Sequence, residues 1–131
     1  MFRKTIAAAL VAAALTASPV LAGGSVSLSI NATTPQDAQA LRAGLILYGL
    51  ARDIRTNGHV TQRGIGNAAA LAQRGGGHYG LIHQEGDRHD ASLRQEGRGN
   101  AHGLFQFGRG ASGHVIQRGR GKSGVTIQYG W

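Results

Sequence analysis

The strongest constraint in this sequence is the tripeptide Gln-x-Gly, which recurs every 11 residues from residue 62 to residue 130. Seven copies follow one another without an insertion or a deletion. The glutamines are Gln62, Gln73, Gln84, Gln95, Gln106, Gln117 and Gln128, and the glycines are Gly64, Gly75, Gly86, Gly97, Gly108, Gly119 and Gly130. Such strict self-similarity indicates a repeat architecture, in which each unit packs only on its neighbours.

Each unit has the pattern of one β-strand followed by a turn. Two positions before the glutamine stands an aliphatic or β-branched residue, in order Val60, Leu71, Ile82, Leu93, Leu104, Val115 and Thr126. Alternate positions share one face of a strand, so these residues lie on the same face as the glutamines. Glycine and asparagine tolerate positive φ and favour a turn after each glutamine. The turn asparagines are Asn67 and Asn100, whereas His78, His89, Ala111 and Lys122 occupy the equivalent positions of other units.

Two units form a strand-arc-strand coil of 22 residues. Stacking such coils about 4.8 Å apart predicts a small all-β solenoid with two flat parallel sheets, of the cross-β, amyloid-forming kind. Glutamines 22 residues apart then form two columns, in which stacked amides satisfy one another. No capping unit is evident, so we expect open strand edges that pair with another chain.

The composition suits a thin core that depends on hydrogen bonds. The chain contains 22 glycines, one tryptophan and no cysteine. Glycine loses much backbone entropy on folding and buries no side chain. Small secreted domains often compensate for a thin core with disulfides, and this chain has none to form.

Residues 1–22 have the pattern of a secretory signal peptide. Arg3 and Lys4 form a charged start, Thr5–Ala17 is apolar, and Val20–Ala22 supplies small residues for cleavage. The apolar run is too short for a membrane-spanning helix. We therefore expect export through the periplasm and a mature chain that begins at Gly23.

The segment 23–57 has a different pattern from the repeats at 58–131. Ser25–Ile30 alternates as a short strand. Thr34 and Pro35 are typical of a helix start, and 36–54 reads as a helix with an apolar stripe. Three roles stay open for this segment: a recognition element for a transporter or chaperone, an element that seeds the first coil, and a cap packed over the first coil.

The segment Val60–Gln73 follows the pattern aliphatic-x-Gln-x-Gly-x-Gly-Asn-x-Ala-x-aliphatic-x-Gln, and Gln95–Asn100 repeats its centre. In this pattern and its period, residues 58–131 resemble the curlin repeat family, the subunits of bacterial curli. The resemblance implies a structural subunit of an extracellular amyloid fibre used in adhesion and biofilm matrix. It also implies assembly with its own copies and other curlin subunits, and export through a dedicated outer-membrane channel.

The sequence departs from the family in two respects. Asparagine survives at the turn only at Asn67 and Asn100, so the asparagine ladders are expected to be incomplete. The glycine- and asparagine-rich leader of the family is replaced by residues 23–57.

Two alternative functions follow from the charge. The net charge is +8, and the chain after Glu96 contains no acidic residue. A basic terminal repeat fits a curli nucleator that anchors fibres at the outer membrane. It also fits a monomeric cell-surface module that binds an anionic surface or polyanion, without specific nucleic-acid recognition. The candidate contacts are Arg109, Arg118, Arg120 and Lys122.

We do not expect an enzyme, a metal site or a cofactor. The acidic residues Glu85, Asp87, Asp90 and Glu96 fall in turns or on the outward face, with no cleft between them. No two histidines are 22 residues apart, so none stack in adjacent coils. We expect the six histidines to be solvated turn or surface residues: His59, His78, His83, His89, His102 and His114.

Overall fold

The computed structural model describes residues 24–54 and 56–131. The predicted signal peptide and Gly23 lie outside the described residues. The elements in chain order are β1 (Ser25–Asn31), α1 (Pro35–Ala51), β2 (Gly58–Arg63), β3 (Ala68–Gly76), β4 (Tyr79–Asp87), β5 (Asp90–Arg98), β6 (Ala101–Arg109), β7 (Ser112–Arg120) and β8 (Ser123–Gly130). No helix in these two ranges is long and apolar enough to cross a membrane.

Strands β2 to β8 form the predicted β-solenoid. They alternate between two sheets, ordered β1-β8-β6-β4-β2 and β3-β5-β7. Every strand pair within the solenoid is parallel, and paired residues are 22 positions apart, which is one coil. Gln62 therefore lies over Gln84, and Gln73 lies over Gln95. The same register continues through the remaining coils. The prediction of an all-β solenoid with 22-residue coils is confirmed.

The core between the two sheets is formed by the inward-facing side chains of both sheets. Ile82, Leu93 and Leu104 are its largest aliphatic residues, and each is at most 1% exposed. They occupy the positions two residues before the glutamines, as the alternation of strand side chains predicts. Burial declines towards the first coil, where Val60 and Leu71 are only partly covered.

The turn glycines are required by their backbone conformation. Gly86 has φ = 114°, a value that side-chain-bearing residues rarely adopt. A Cβ atom at Gly86 would also collide with the carbonyl oxygen of Gly108 one coil away. The turn glycines therefore permit a close approach of successive coils as well as a change of direction.

Helix α1 packs on the outer face of the five-stranded sheet. Its start matches the prediction, since Thr34 is the N-cap and its Oγ1 accepts a hydrogen bond of 3.1 Å from the backbone N–H of Asp37. Leu45 packs with Tyr79 and Leu81 in a second, smaller core. The helix crosses the sheet from β8 towards β4 and so carries the chain to the first coil.

Strand β1 pairs in antiparallel orientation with the last strand, β8. The expectation of a solenoid without a cap is therefore wrong at this end. A cap over the first coil was one of the three predicted roles for residues 23–57, and the structure places β1 at the opposite end. The pairing could not be read from the repeat, because it joins segments about 100 residues apart that share no period.

We predict that Gly86→Ala lowers the free energy of unfolding by about 2 kcal/mol or more, because alanine at this φ is strained and meets Gly108. Gly76→Ala is the matched control, since a Cβ atom there meets nothing within 4 Å. Urea denaturation of both variants measures the difference. Equal stability of the two variants would contradict the assignment of Gly86 as a conformationally required glycine.

Candidate assembly interface: the glutamine ladders and the open coil edge

The glutamine side chains form two hydrogen-bonded ladders along the solenoid. In the first, each Nε2 donates to the Oε1 of the next glutamine, and the three N···O distances are 2.8 Å. The second joins Gln73 to Gln95 and Gln95 to Gln117, at 2.9 Å each. All bonds run in the same direction, so one N–H of each amide from Gln62 to Gln106 points towards the β7–β8 end.

From Gln84 onward, the second N–H of each ladder amide ties the two sheets together. Nε2 of Gln84 donates to the carbonyl oxygen of Ala68 at 2.7 Å, and Gln106 donates in the same way to Asp90 at 2.8 Å. Each acceptor belongs to the sheet that faces the donor strand. No buried side-chain nitrogen or oxygen in the described part of the chain lacks a partner. The ladders therefore stabilise both the stacking of coils and the packing of the sheets.

The first coil is the open end of both ladders. Gln84, Gln95 and Gln106 are fully buried, whereas Gln62 and Gln73 are exposed. Neither Gln62 nor Gln73 accepts a hydrogen bond at Oε1 from a described residue. Strands β2 and β3 likewise have no outer strand partner among residues 24–54 and 56–131. This edge thus offers backbone groups and two amide acceptors in the geometry of the next rung.

The turn asparagines join successive coils as clasps. Nδ2 of Asn67 donates to the carbonyl oxygens of Arg63 and Gly86 at 3.3 and 2.9 Å, and its Oδ1 accepts from the backbone N–H of His89 at 2.9 Å. Asn100 makes the corresponding contacts one and a half coils later, and its Oδ1 accepts from the backbone N–H of Lys122 at 3.0 Å.

Two histidines make the same clasp where asparagine is absent. His78 Nε2 donates to the carbonyl oxygen of Arg74 at 2.8 Å, and its Nδ1 accepts from the backbone N–H of Asn100 at 3.2 Å. His89 bonds in the same way to Glu85 and Ala111, at 2.9 and 3.0 Å. Because a carbonyl only accepts and an amide N–H only donates, both rings are neutral with the proton on Nε2. The clasp is not repeated at Ala111 and Lys122, because neither side chain can both donate and accept hydrogen bonds as the asparagine amide does.

The expectation that the histidines are solvated is therefore wrong for four of the six. His78, His83, His89 and His102 are buried, and only His59 and His114 retain substantial exposure. The sequence carried a signal for His78 and His89, since both stand at the turn position of asparagine. No group of three or more histidine, cysteine or acidic residues in the described part of the chain is arranged to hold a metal ion.

His102 lies inside the solenoid, where its neighbours are neutral. Its Nε2 lies 3.0 Å from Thr126 Oγ1, and its Nδ1 accepts from Gln117 Nε2 at 3.4 Å. Burial in this polar but uncharged setting lowers the pKa of His102 to about 4. The ring is therefore neutral throughout the physiological range.

The charged side chains do not converge on one surface. Glu96 pairs with Arg94 and Arg118 on the outer face of the three-stranded sheet, at 2.7 and 3.1 Å. Arg109 lies in the arc between β6 and β7, whereas Arg120 and Lys122 lie at the arc between β7 and β8. The four predicted anion contacts are thus distributed over three surfaces.

We predict that Gln95→Leu lowers the free energy of unfolding by about 2–4 kcal/mol, because it removes the donor to the buried Gln117 Oε1 and to the carbonyl oxygen of Tyr79. Gln62→Leu at the exposed end is expected to cost less than about 1 kcal/mol, since water reaches the groups it leaves. Urea denaturation at low protein concentration compares the two. Equal losses would show that the ladder contributes no more in the interior than at the edge.

We predict that stability falls as the pH drops from about 6.5 to about 4. In this window His102 is protonated in the unfolded chain and neutral in the folded chain. The full difference between the two pKa values corresponds to a loss of about 3 kcal/mol in the free energy of unfolding. His102→Gln should reduce this loss, whereas His114→Gln at an exposed site should retain it. Denaturation midpoints at pH 7 and pH 4 measure the effect, and identical pH profiles for the two variants would refute it.

The comparisons with known proteins agree with this architecture. A family model described as curlin associated repeat matches residues 64–97, which span the turn after β2, strands β3 and β4, and nearly all of β5. Neither the curated proteins nor the solved structures compared with the chain contain a match. The match covers 34 of the 131 residues, from the first turn glycine, Gly64, to the fourth, Gly97. Period, strand register and family match agree that residues 64–97 are similar to curlin repeats, and the same 22-residue register continues to β8.

Proposed function

We propose that this protein is a structural subunit of an extracellular curli-type amyloid fibre that serves adhesion and biofilm matrix. It polymerises by adding strands to its own sheet edges, with further copies and other curlin subunits as partners. A dedicated outer-membrane channel exports it to the cell surface. The observation that carries the proposal is the open edge of the first coil, where Gln62 and Gln73 present unused amide acceptors.

The composition of this edge supports the proposal. Soluble proteins protect exposed sheet edges with proline, lysine or inward-pointing charges. Strands β2 and β3 contain none of these, and their arginines, Arg63 and Arg74, point outward beside the ladder. Main-chain pairing supplies affinity at such an edge, and the inward side chains set the register. An incoming coil with glutamine at the same position continues both ladders.

A monomeric polyanion-binding module receives less support from the geometry. Its four candidate cations lie on three different surfaces, and Arg118 is already paired with Glu96. The nucleator role differs from the fibre subunit in the order of assembly, and seeding distinguishes the two.

We predict that the predicted mature chain, residues 23–131, forms fibres after a lag and that its own fragments abolish the lag. Thioflavin fluorescence and electron microscopy measure growth. The double variant Gln62→Leu/Gln73→Leu should elongate at least about tenfold more slowly, since each lost amide hydrogen bond contributes about 1 kcal/mol.

The matched control is Gln36→Leu/Gln39→Leu, which makes the same exchange at exposed positions of α1. It should grow as the unmodified chain does. A monomer that never grows and cannot be seeded would refute the fibre function. Acceleration of another curlin at trace amounts, without fibres of its own, would identify a nucleator instead.

A further inference from the structure

Strand β1 extends the five-stranded sheet beyond β8 but breaks the pattern of the solenoid. All seven of its residues pair with β8, from Ser25 opposite Gly130 to Asn31 opposite Gly124. The pairing is antiparallel, whereas every other strand pair is parallel. β1 therefore occupies the position of the next rung without being able to continue it.

The inner face of β1 is polar where a solenoid strand would carry its core residues. Ser27 stands over Gln128 and Ser29 over Thr126, in the rows of the glutamines and the aliphatic residues. The first ladder ends on Ser27, whose Oγ accepts from Gln128 Nε2 at 3.3 Å, against 2.8 Å between glutamines. Because this hydrogen bond is longer, it is weaker than the bond that another glutamine would make with Gln128.

Among the strands of residues 24–54 and 56–131, none faces β1 across the solenoid. The three-stranded sheet ends at β7, one position short of β1. The space above β7 is an open groove of about 480 Å³, whose lining includes Ser29, Asn31, Val115 and Gln117. The serines of β1 are exposed for this reason. The strand position over β7 is thus vacant, and the position over β8 is occupied by β1.

The number of strands determines how a second copy fits this end. The solenoid has seven strands that alternate between the sheets, so the next strand belongs over β7 and the one after it over β8. A copy rotated by half a turn about the solenoid axis places its β2 over β7 and its β3 over β8. An unrotated copy would place β2 over β8 and leave the position above β7 empty.

The ladders of the two ends are complementary. At the β7–β8 end, Nε2 of Gln128 donates outward to Ser27 at 3.3 Å, and the corresponding N–H of Gln117 makes a long contact of 3.4 Å with His102 Nδ1. At the first coil of the next copy, the Oε1 groups of Gln62 and Gln73 are free to accept. Ser27 occupies the donor of Gln128 for as long as β1 is in place.

We propose that β1 is a displaceable cap, and that the β2–β3 edge of a second copy, rotated by half a turn, replaces it on β8. This inference rests on the proposed function and adds its regulation. In the monomer β1 is favoured because residues 32–34 tether it to α1, which gives it a high effective concentration. A second copy displaces it because two strands and two complete ladders replace one strand. The two ends of the subunit therefore differ: the β2–β3 edge is always available, whereas the β7–β8 edge opens on release of β1.

A disulfide between β1 and β8 tests whether release is required. The Oγ atoms of Ser29 and Thr126 are 3.1 Å apart, and the chain has no cysteine, so Ser29→Cys/Thr126→Cys forms a single, defined cross-link. We expect the oxidised variant not to elongate and the reduced variant to grow normally. Added at substoichiometric amounts, the oxidised variant should also terminate unmodified fibres, because it joins through its free edge and presents a locked end. Ser29→Cys alone is the control.

A variant that weakens β1 should have the opposite effect. The bonds from Ala32 to Ser123 and from Trp131 to Gly24 indicate that the even-numbered residues of β1 face β8 with their N–H groups. Leu28→Pro removes one of these bonds and should shorten the lag severalfold. Ser25→Pro is the matched control, since that N–H points away from β8 and edge proline is tolerated there.

Inter-chain cross-links test the half-turn. Thr61 and Ile116 occupy the same outward position, one residue before a glutamine, as does Ile127. Thr61→Cys/Ile116→Cys should give disulfide-linked ladders in oxidised fibres on non-reducing gels, and Thr61→Cys/Ile127→Cys should not. The reverse result would overturn the half-turn.

The outcomes separate this inference from the function on which it rests. Equal elongation by the oxidised and reduced forms of Ser29→Cys/Thr126→Cys would overturn the cap while leaving the fibre function intact. Failure of the unmodified chain, the reduced variant and Leu28→Pro to assemble under any seeding would overturn the fibre function and the cap together.

Discussion

The hydrogen bond between one glutamine amide and the next is the interaction on which the rest of this structure depends. It requires each glutamine to lie above another, which demands parallel strands, a coil of constant length and no insertion between copies. The second N–H of the amide reaches the opposite sheet and so sets the distance between the sheets. The core between the sheets contains few large apolar side chains, and the glutamine amides can be buried there because each buried polar atom in the described part of the chain has a hydrogen-bond partner.

The same requirement explains the turns. Coils that stack at the spacing of paired strands bring successive arcs into contact, and glycine at positive φ leaves room for the carbonyl of the next arc. An amide clasp then joins the arcs. In Asn67 and Asn100 the group that joins the arcs is a carboxamide. In His78 and His89 it is an imidazole, whose Nδ1 accepts a hydrogen bond as the amide oxygen does and whose Nε2 donates one as the amide nitrogen does. The chemistry of the clasp is preserved although the residue type changes.

The two ends of the solenoid differ because of the segment that precedes it. Helix α1 crosses the outer face of the sheet and joins β1 at one end to β2 at the other. The repeat-like strand edge is therefore free at β2 and β3, and covered on β8 by a strand with a polar inner face. A repeat protein that stayed monomeric would cover both ends. One covered and one open end are what the directional assembly proposed above requires.

The sequence by itself determined the strands, their register and the two ladders, because a period of 11 residues and the alternation of strand side chains are local signals. It also determined the start of α1, through the capping chemistry of Thr34 and Pro35. Only the tertiary structure decided the rest. Ser29 and Thr126 are 97 residues apart, and no periodic pattern relates β1 to β8. Nothing in the sequence indicated that His83 and His102 are buried. His83 is covered by Phe105 and Phe107, and His102 by residues at the β1–β8 end. Such contacts depend on how the whole chain packs, which a local pattern cannot encode.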